Sequence, residues 1–86
     1  MEFLKEDSRI YSLDGNKKVI AEITFEEIEK GIFNISHTFV DESLRGQGIA
    51  SKLVEMAVEE IQKRNGKVQA TCSYAKKWLE KKGFEK

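Results

Sequence analysis

The sequence predicts a single α+β domain with a mixed, mainly antiparallel sheet. Two patterns predict it. Apolar and polar residues alternate through much of residues 9–40, as in half-buried strands, and from residue 49 apolar residues recur every three or four positions, as in a helix. A further strand and a short helix follow, which gives the order β-β-β-α-β-α. With 86 residues in all, we expect one minimal domain spanning residues 1–86.

The first two predicted strands form a hairpin. Residues 9–13 are the first strand, and Asp14-Gly15-Asn16 supplies residue types that accept a positive φ in a tight turn. Residues 17–25 are the second strand. Every other residue of this strand is apolar and is expected to face one side of the sheet, namely Val19, Ala21, Ile23 and Phe25.

The third predicted strand covers residues 32–40, after a charged break with a glycine at residues 26–31. Because short loops join the three strands, we expect them to pair antiparallel. Strict alternation along the third strand places four residues on one face, namely Phe33, Ile35, His37 and Phe39.

The main helix is predicted over residues 48–64. Asn65 and Gly66, which both tolerate a left-handed conformation, end it. The apolar face of this helix consists of Ile49, Ala50, Leu53, Val54, Ala57, Val58 and Ile61.

The last strand is predicted over residues 67–72, in parallel with an earlier strand because a helix connects the two. Ser73 is the expected N-cap of a final helix over residues 74–82, and Gly83 marks its end. The inward-facing residues of this helix are expected to be Ala75, Trp78 and Leu79.

The composition excludes several classes of protein. The net charge is zero, but residues 1–43 carry five basic and ten acidic side chains, whereas residues 44–86 carry ten and five. One cysteine and one histidine exclude a disulfide framework and leave too few ligands for a zinc site, so no metal is expected. The single cysteine and the lack of a signal segment favour the cytoplasm, and without an apolar run near 18 residues we expect no membrane partner. The neutral net charge argues against a nucleic-acid partner.

The segment at residues 40–50 carries the clearest chemical signal. A strand is followed by a loop with two glycines and then at once by a helix, so unpaired backbone N–H groups and the positive end of the helix dipole converge there. Such a site suits a phosphate or pyrophosphate, and Arg45 can reach it. The glycine spacing does not fit a nucleoside-triphosphate or dinucleotide loop, and a tight turn without a ligand is the plain alternative.

These residues resemble a known family. The pattern Arg45-x-x-Gly48-x-Ala50, after a strand that ends at Val40, is similar to the acetyl-coenzyme A motif of the Gcn5-related N-acetyltransferases. The resemblance implies acetyl-coenzyme A as cosubstrate, bound through its pyrophosphate and its pantetheine arm, and an amine acceptor. The implied contacts are the backbones of Phe39 and Val40, and Arg45, Gly46, Gln47, Gly48, Ile49 and Ala50.

A second stretch extends the resemblance to about residues 9–84. Cys72, Ala75, Leu79, Gly83 and Phe84 stand at offsets where many family members have asparagine, alanine, tyrosine, glycine and phenylalanine. The family's tyrosine usually protonates the departing thiolate, and Leu79 cannot. The chain is similar throughout to a short subgroup of the family in which a cysteine, here Cys72, is the proposed catalytic residue.

Cys72 and His37 are the candidate catalytic residues. Cys72 precedes a helix, whose dipole lowers the pKa of a thiol, but a small packed cysteine is the structural alternative. His37 is a residue type whose side chain transfers protons near neutrality, and the structural alternative is that it packs between Ile35 and Phe39. If their strands are neighbours, the two residues form an activated pair.

Three classes of function remain open from the sequence. An N-acetyltransferase with an amine acceptor of unknown identity is the first, and a coenzyme A-binding module without catalysis is the second. A cysteine-dependent hydrolase or redox protein built on Cys72 and His37 is the third. Tyr74 is expected to be a core or cap residue of the last helix, with a hydroxyl supplied to the site as the alternative, and the lysines of that helix are expected to form a solvated face.

Overall fold

The protein is a five-stranded mixed sheet with two helices packed against one face, which confirms the predicted α+β class. The computed structural model describes residues 1–83. Its elements are β1 (Leu4–Glu6), β2 (Arg9–Leu13), β3 (Val19–Glu29), β4 (Ile32–Val40), a 3₁₀ turn (Glu42–Leu44), α1 (Ile49–Lys63), β5 (Lys67–Ala70) and α2 (Ser73–Lys82).

The strands lie in the order in which they occur along the chain. β1 to β4 pair antiparallel, as short connections favour, and β5 pairs in parallel with β4 after the crossover through α1. The parallel pairing runs only from Ile32, opposite Lys67, to Ile35, opposite Ala70. The second half of β4 therefore has a neighbour on one side only.

The N-terminal strand β1 is missing from the sequence-based prediction. It has three residues and no alternation of its own, so its formation depends on pairing with β2 rather than on a local pattern. Ser12 is buried, and its hydroxyl donates a hydrogen bond to the Glu2 carbonyl at 2.6 Å, which attaches the N-terminal segment to the sheet.

The hairpin between β2 and β3 differs from the prediction in its turn. The positive φ falls on Lys17, at 63°, and not on residues 14–16. The Asp14 carboxylate accepts hydrogen bonds from the N–H groups of Asn16 and Lys18, at 2.8 and 2.9 Å, and closes the turn. β3 consequently begins at Val19 rather than at residue 17.

The charged segment after Phe25 does not end β3, contrary to the prediction. Glu26 and Glu27 continue the ladder opposite Asn34 and Phe33, and the chain turns only at Gly31, where φ is 79°. Carboxylates do not oppose strand formation here, because these side chains project into solvent while the backbone groups pair.

An extra residue in β4 changes which side chains face the core. Thr24 pairs with His37 and Phe25 with Ile35, so Ser36 is a β-bulge with no partner. The prediction that His37 and Phe39 share a face with Phe33 and Ile35 is therefore wrong. Beyond the bulge it is Val40 that packs against the core, whereas the His37 side chain is 53% exposed.

The core lies between the helices and the covered face of the sheet. α1 contributes Leu53, Val54, Ala57, Val58 and Ile61, as its period predicts, and α2 contributes Ala75 and Leu79. Trp78 is half-buried against this core, as predicted. The sheet supplies the remaining buried apolar side chains, namely Ile10, Ala21, Ile23, Phe25, Phe33, Ile35 and Ala70.

The end of α1 agrees with the prediction, whereas the start of α2 differs from it by one residue. α1 ends as expected, since Asn65 adopts a positive φ of 59° and the Gly66 N–H donates to the Ile61 carbonyl at 2.9 Å. At α2, however, the N-cap is Cys72 rather than Ser73, and β5 ends at Ala70. Neither helix in residues 1–83 is long and apolar enough to span a membrane.

Candidate active site

The loop between β4 and α1 has a conformation that depends on glycine. Gly46 (φ 86°) and Gly48 (φ 73°) both lie in the left-handed region, which side chains with a Cβ disfavour. Gly48 is the N-cap of α1, so no side chain satisfies the first N–H groups of that helix. The backbone itself therefore presents these donors.

A run of backbone N–H groups at this helix start lacks an acceptor. Within the described part of the chain, the N–H groups of residues 46–51 donate no hydrogen bond. The first helical bond runs from the Lys52 N–H to the Gly48 carbonyl, at 3.1 Å. Together with the positive end of the helix dipole, these donors form a site suited to an anion.

The 3₁₀ turn before the loop holds it in position. The Asp41 carboxylate accepts hydrogen bonds from the Ser43 hydroxyl, at 2.6 Å, and from the Ser43 N–H, at 3.1 Å. These bonds lower the pKa of Asp41. Arg45 ends the turn with an exposed side chain that forms no ion pair among residues 1–83, so its charge is available to an anion in the loop.

A cleft of about 470 Å³ opens beside this loop and runs along the end of β4. Six of the predicted contacts line it, namely Val40, Arg45, Gly46, Gly48, Ile49 and Ala50. The side chains of Phe39 and Gln47 do not. Four lining residues were not among the predicted cofactor contacts, namely Thr38, Leu44, Ser51 and Tyr74.

The backbone at the end of β4 offers polar groups to the cleft. The Asp41 N–H donates to the Ile20 carbonyl on β3, at 2.7 Å. Since the N–H and C=O of one trans peptide point in opposite directions, the Val40 carbonyl points away from β3. β5 does not extend this far, so this edge of β4 is free to pair with an extended ligand.

Cys72 lies at the inner end of the same region, between β5 and α2. Its N–H and that of Thr71 both donate to the Ile35 carbonyl, at 3.2 and 3.1 Å, where the parallel pairing stops. The Cys72 Sγ lies 3.6 Å from the Thr38 Oγ1. Thr38 lines the cleft, so the thiol stands next to it.

The environment of Cys72 favours the thiolate. Burial raises the pKa of the thiol, but hydrogen bonds from the Ala75 backbone, the Thr38 hydroxyl and the Tyr74 backbone lower it and prevail. The pKa of Cys72 therefore lies below its ordinary value. A larger thiolate fraction near neutral pH makes Cys72 a better nucleophile.

His37 occupies the opposite face of the sheet, which the helices leave uncovered. Its Nε2 lies 3.6 Å from the Glu22 Oε1, and the other oxygen of that carboxylate accepts a hydrogen bond from Arg9. Neighbouring residues of a strand point to opposite faces, so His37 points away from the side where Thr38 meets Cys72. The activated pair of Cys72 and His37, expected if their strands are neighbours, therefore does not form although β4 and β5 pair, and a hydrolase that needs this pair loses its support.

The position that many family members fill with tyrosine is a core position here. Leu79 is fully buried in α2, and Ala75 is fully buried one turn before it. Gly83 ends the helix with a φ of 78°, as the resemblance implies. Phe84, the last residue of that pattern, lies outside the described residues.

Two of these four additional lining residues had usable signals in the sequence, although Tyr74 was expected to be a core or cap residue. Ser51 follows the glycine loop by one helical turn, so it belongs to the same helix start. Tyr74 stands two residues after Cys72 in the first turn of α2 and is 43% exposed. Thr38 had no such signal, because only the bulge at Ser36 turns it toward the cleft.

Comparisons with known proteins identify relatives of this chain. The chain is similar to NATD1 proteins of chicken and human, with 32% identity over 59 residues, which is 69% of this chain. It spans about half the length of these relatives, 54% and 52% respectively.

Solved structures give the same result over more of the chain. A solution structure of a GCN5-like protein from Staphylococcus aureus is 36% identical, has a TM-score of 0.79, and matches 96% of this chain and 82% of that one. A crystal structure of an acetyltransferase from Agrobacterium tumefaciens is 30% identical over 80% of this chain and 47% of that one, with a TM-score of 0.64. The family model described as GCN5-related N-acetyl-transferase matches residues 9–85. The chain therefore belongs to the GCN5-related N-acetyltransferase family.

Proposed function

We propose that the protein is an acetyl-coenzyme A-dependent N-acetyltransferase that transfers the acetyl group to an amine of a small molecule or a protein. The observation that carries this proposal is the run of unpaired N–H groups at residues 46–51, which borders a cleft that leads to Cys72. The glycine loop of the cleft suits an anion, and the Cys72 thiol lies next to Thr38, another residue that lines the cleft. A thioester with a pyrophosphate matches both features.

The backbone of the glycine loop is the proposed site of the pyrophosphate. The unpaired N–H groups from Gly46 to Ala50, including that of Gln47, supply the donors, and the Arg45 side chain adds a positive charge. The pantetheine arm then extends along the free edge of β4. In this arrangement the Val40 carbonyl accepts a hydrogen bond from a pantetheine amide, while Phe39 keeps Val40 in register through its pairing with Glu22.

The proposed reaction transfers the acetyl group from sulfur to nitrogen and moves one proton. Acetyl-coenzyme A supplies the acetyl group as an activated thioester. The amine nitrogen forms a bond to the carbonyl carbon, the carbon–sulfur bond breaks, and the proton that the amine loses ends on the released coenzyme A thiolate. N–H groups on the free edge of β4 stabilise the negative charge on the carbonyl oxygen, and the cleft holds the reactants in orientation.

Cys72 has one proposed catalytic role with two stages. Its thiolate attacks the thioester carbonyl, which forms an acetyl-cysteine thioester and releases coenzyme A as the thiolate. The amine then attacks the acetyl-cysteine, and the Cys72 thiolate is regenerated. The lowered pKa of Cys72 and its position next to Thr38 support this route.

His37 is not carried over as a catalytic residue of this proposal. Its side chain lies on the uncovered face of the sheet next to Glu22, whereas Cys72 lies next to Thr38 on the other face. A base must be within hydrogen-bond reach of the amine that attacks the acetyl carbon, and from the uncovered face His37 does not reach that amine.

A coenzyme A-binding module without catalysis is the second candidate. Leu79 favours it, because this position is buried and apolar where many relatives carry the hydroxyl that protonates the leaving thiolate. Under this alternative, Cys72 only lines the cleft. The two candidates agree on binding and differ in whether acetyl transfer occurs.

Isothermal titration calorimetry with coenzyme A tests the binding that both candidates share. Gly48→Glu adds a side chain and a negative charge where the pyrophosphate is proposed, and we expect affinity to fall by at least about 100-fold. Gly31→Glu is the matched control, since Gly31 has a similar φ of 79° but lies in the β3–β4 turn. Unchanged affinity in folded Gly48→Glu protein would refute the proposed site.

Intact mass spectrometry then separates the two candidates. Incubation with acetyl-coenzyme A is expected to add one acetyl group to the wild-type protein and none to Cys72→Ser, and amines should discharge the adduct. If coenzyme A binds but no amine is acetylated and no adduct forms, the binding module is correct.

A further inference from the structure

A second cleft adjoins the first on the side of α2. Its volume is about 330 Å³, and it shares Ser51 and Tyr74 with the cleft beside the glycine loop. The other lining residues all belong to α2, namely Lys77, Trp78, Lys81 and Lys82. The two clefts therefore form a continuous surface from the end of β4, past the start of α1, to the exposed side of α2.

The second cleft is strongly basic. None of its three lysines forms an ion pair within residues 1–83. The nearest acidic residue in the sequence of α2 is Glu80, which is exposed and does not line the cleft. Ser51, the α1 residue that lines it, is uncharged. This charge suits a phosphate group.

The cleft also has an ordered aromatic side. The Trp78 Nε1 donates a hydrogen bond to the Ser51 Oγ at 2.8 Å, which fixes the indole between the two helices. The Lys82 Nζ lies 5.7 Å from the centre of the Trp78 ring, within the range of a cation–π contact. Tyr74 adds a second, more exposed ring at the junction of the two clefts. Lysines next to fixed aromatic rings suit a ligand that combines a phosphate with a flat or sugar-like body.

We propose that the second cleft binds the 3′-phosphorylated ribose of coenzyme A, with Lys77 and Lys81 as the main phosphate contacts. The inference rests on the proposed function, because it needs the pyrophosphate at the glycine loop. From there the thiol end of the molecule follows β4, and the nucleotide end must leave in another direction. The second cleft is the basic surface that adjoins the loop on that side. The protein should therefore distinguish coenzyme A from dephospho-coenzyme A.

Calorimetric titration with coenzyme A and with dephospho-coenzyme A tests this inference. We expect the wild-type protein to bind coenzyme A about 10-fold more tightly, as one or two charge-assisted contacts on an exposed surface provide. Lys77→Ala and Lys81→Ala should each weaken coenzyme A binding by about 3-fold or more and leave dephospho-coenzyme A binding unchanged. The preference should shrink as salt rises.

Lys76→Ala is the matched control. Lys76 carries the same charge on the same helix but does not line the second cleft, so its removal should leave both affinities unchanged. All three lysines are exposed, and alanine is a good helix former, so these variants are expected to fold.

The outcomes separate this inference from the proposed function. If both ligands bind the wild-type protein equally, or if Lys76→Ala acts like Lys77→Ala, the second cleft is not the phosphate site, while coenzyme A binding itself stands. If neither ligand binds at all, the proposed function fails, and this inference fails with it.

Discussion

The two halves of β4 differ in what surrounds them. Residues 32–35 lie between β3 and β5, and Phe33 and Ile35 are buried in the core. Residues 36–40 pair with β3 alone and border the cleft. One strand thus belongs to the core in its first half and has an unpaired backbone edge beside the cleft in its second. The comparison predicts that substitutions in the two halves affect different measurements.

Removal of a core side chain in the first half should have the largest effect on stability. Ile35 is fully buried, so Ile35→Ala leaves a cavity and should lower the free energy of unfolding by about 2–5 kcal/mol. Urea denaturation measures the loss. Thr38→Ala, in the second half, should cost less than about 1 kcal/mol because the side chain is only half-buried. Equal losses in the two variants would contradict the division of the strand.

A smaller loss is expected from overpacking against the first half. A Cβ on Gly66 would lie 2.7 Å from the Phe33 ring and 3.1 Å from Ile61, so Gly66→Ala should cost about 1–3 kcal/mol. Gly15→Ala is the control, since no atom lies within 4 Å of that Cβ. Thermal or urea unfolding compares the two. A stability loss in Gly15→Ala as large as that in Gly66→Ala would argue against a packing cause.

The smallest effect is expected from the second half of β4, where a substitution should change the pKa of Cys72. Thr38→Val removes a hydroxyl that donates to the Cys72 thiolate, so the pKa of Cys72 should rise. The rate of iodoacetamide alkylation against pH measures this pKa, and its midpoint should move to higher pH. Thr24→Val, whose hydroxyl contacts Ser36 and not Cys72, should leave the midpoint unchanged.

The lowered pKa of Cys72 also makes the free energy of unfolding depend on pH. The folded state favours the thiolate, so this contribution to stability is fully present above the pKa of the unfolded thiol. It is lost as the pH falls through the lower pKa of the folded protein. The loss should be smaller in Thr38→Val. If Thr38→Val has the same alkylation midpoint as the wild-type protein, the backbone hydrogen-bond donors alone lower the pKa of Cys72.

The features that the sequence predicted correctly are local ones. The apolar period of α1, the positive φ of Asn65 and the glycine loop all follow from residues within one or two turns of each other. The errors concern pairing between distant segments. β1 forms only against β2, and the bulge at Ser36 is a mismatch between two strands that neither strand reveals alone. Because of that bulge, Thr38 rather than His37 lies on the face where Cys72 is found.

Ser36 also has a consequence for how insertions and deletions act in this protein. Single-residue length changes are usually tolerated in surface loops, but here the extra residue sets the phase of the strand. A chain of the same composition without it would point His37 and Phe39 inward, and Thr38 and Val40 outward. The identity of the residue at position 36 matters less than its presence. An alignment that leaves out the residue at position 36 would therefore assign the wrong side chains to both faces of the sheet.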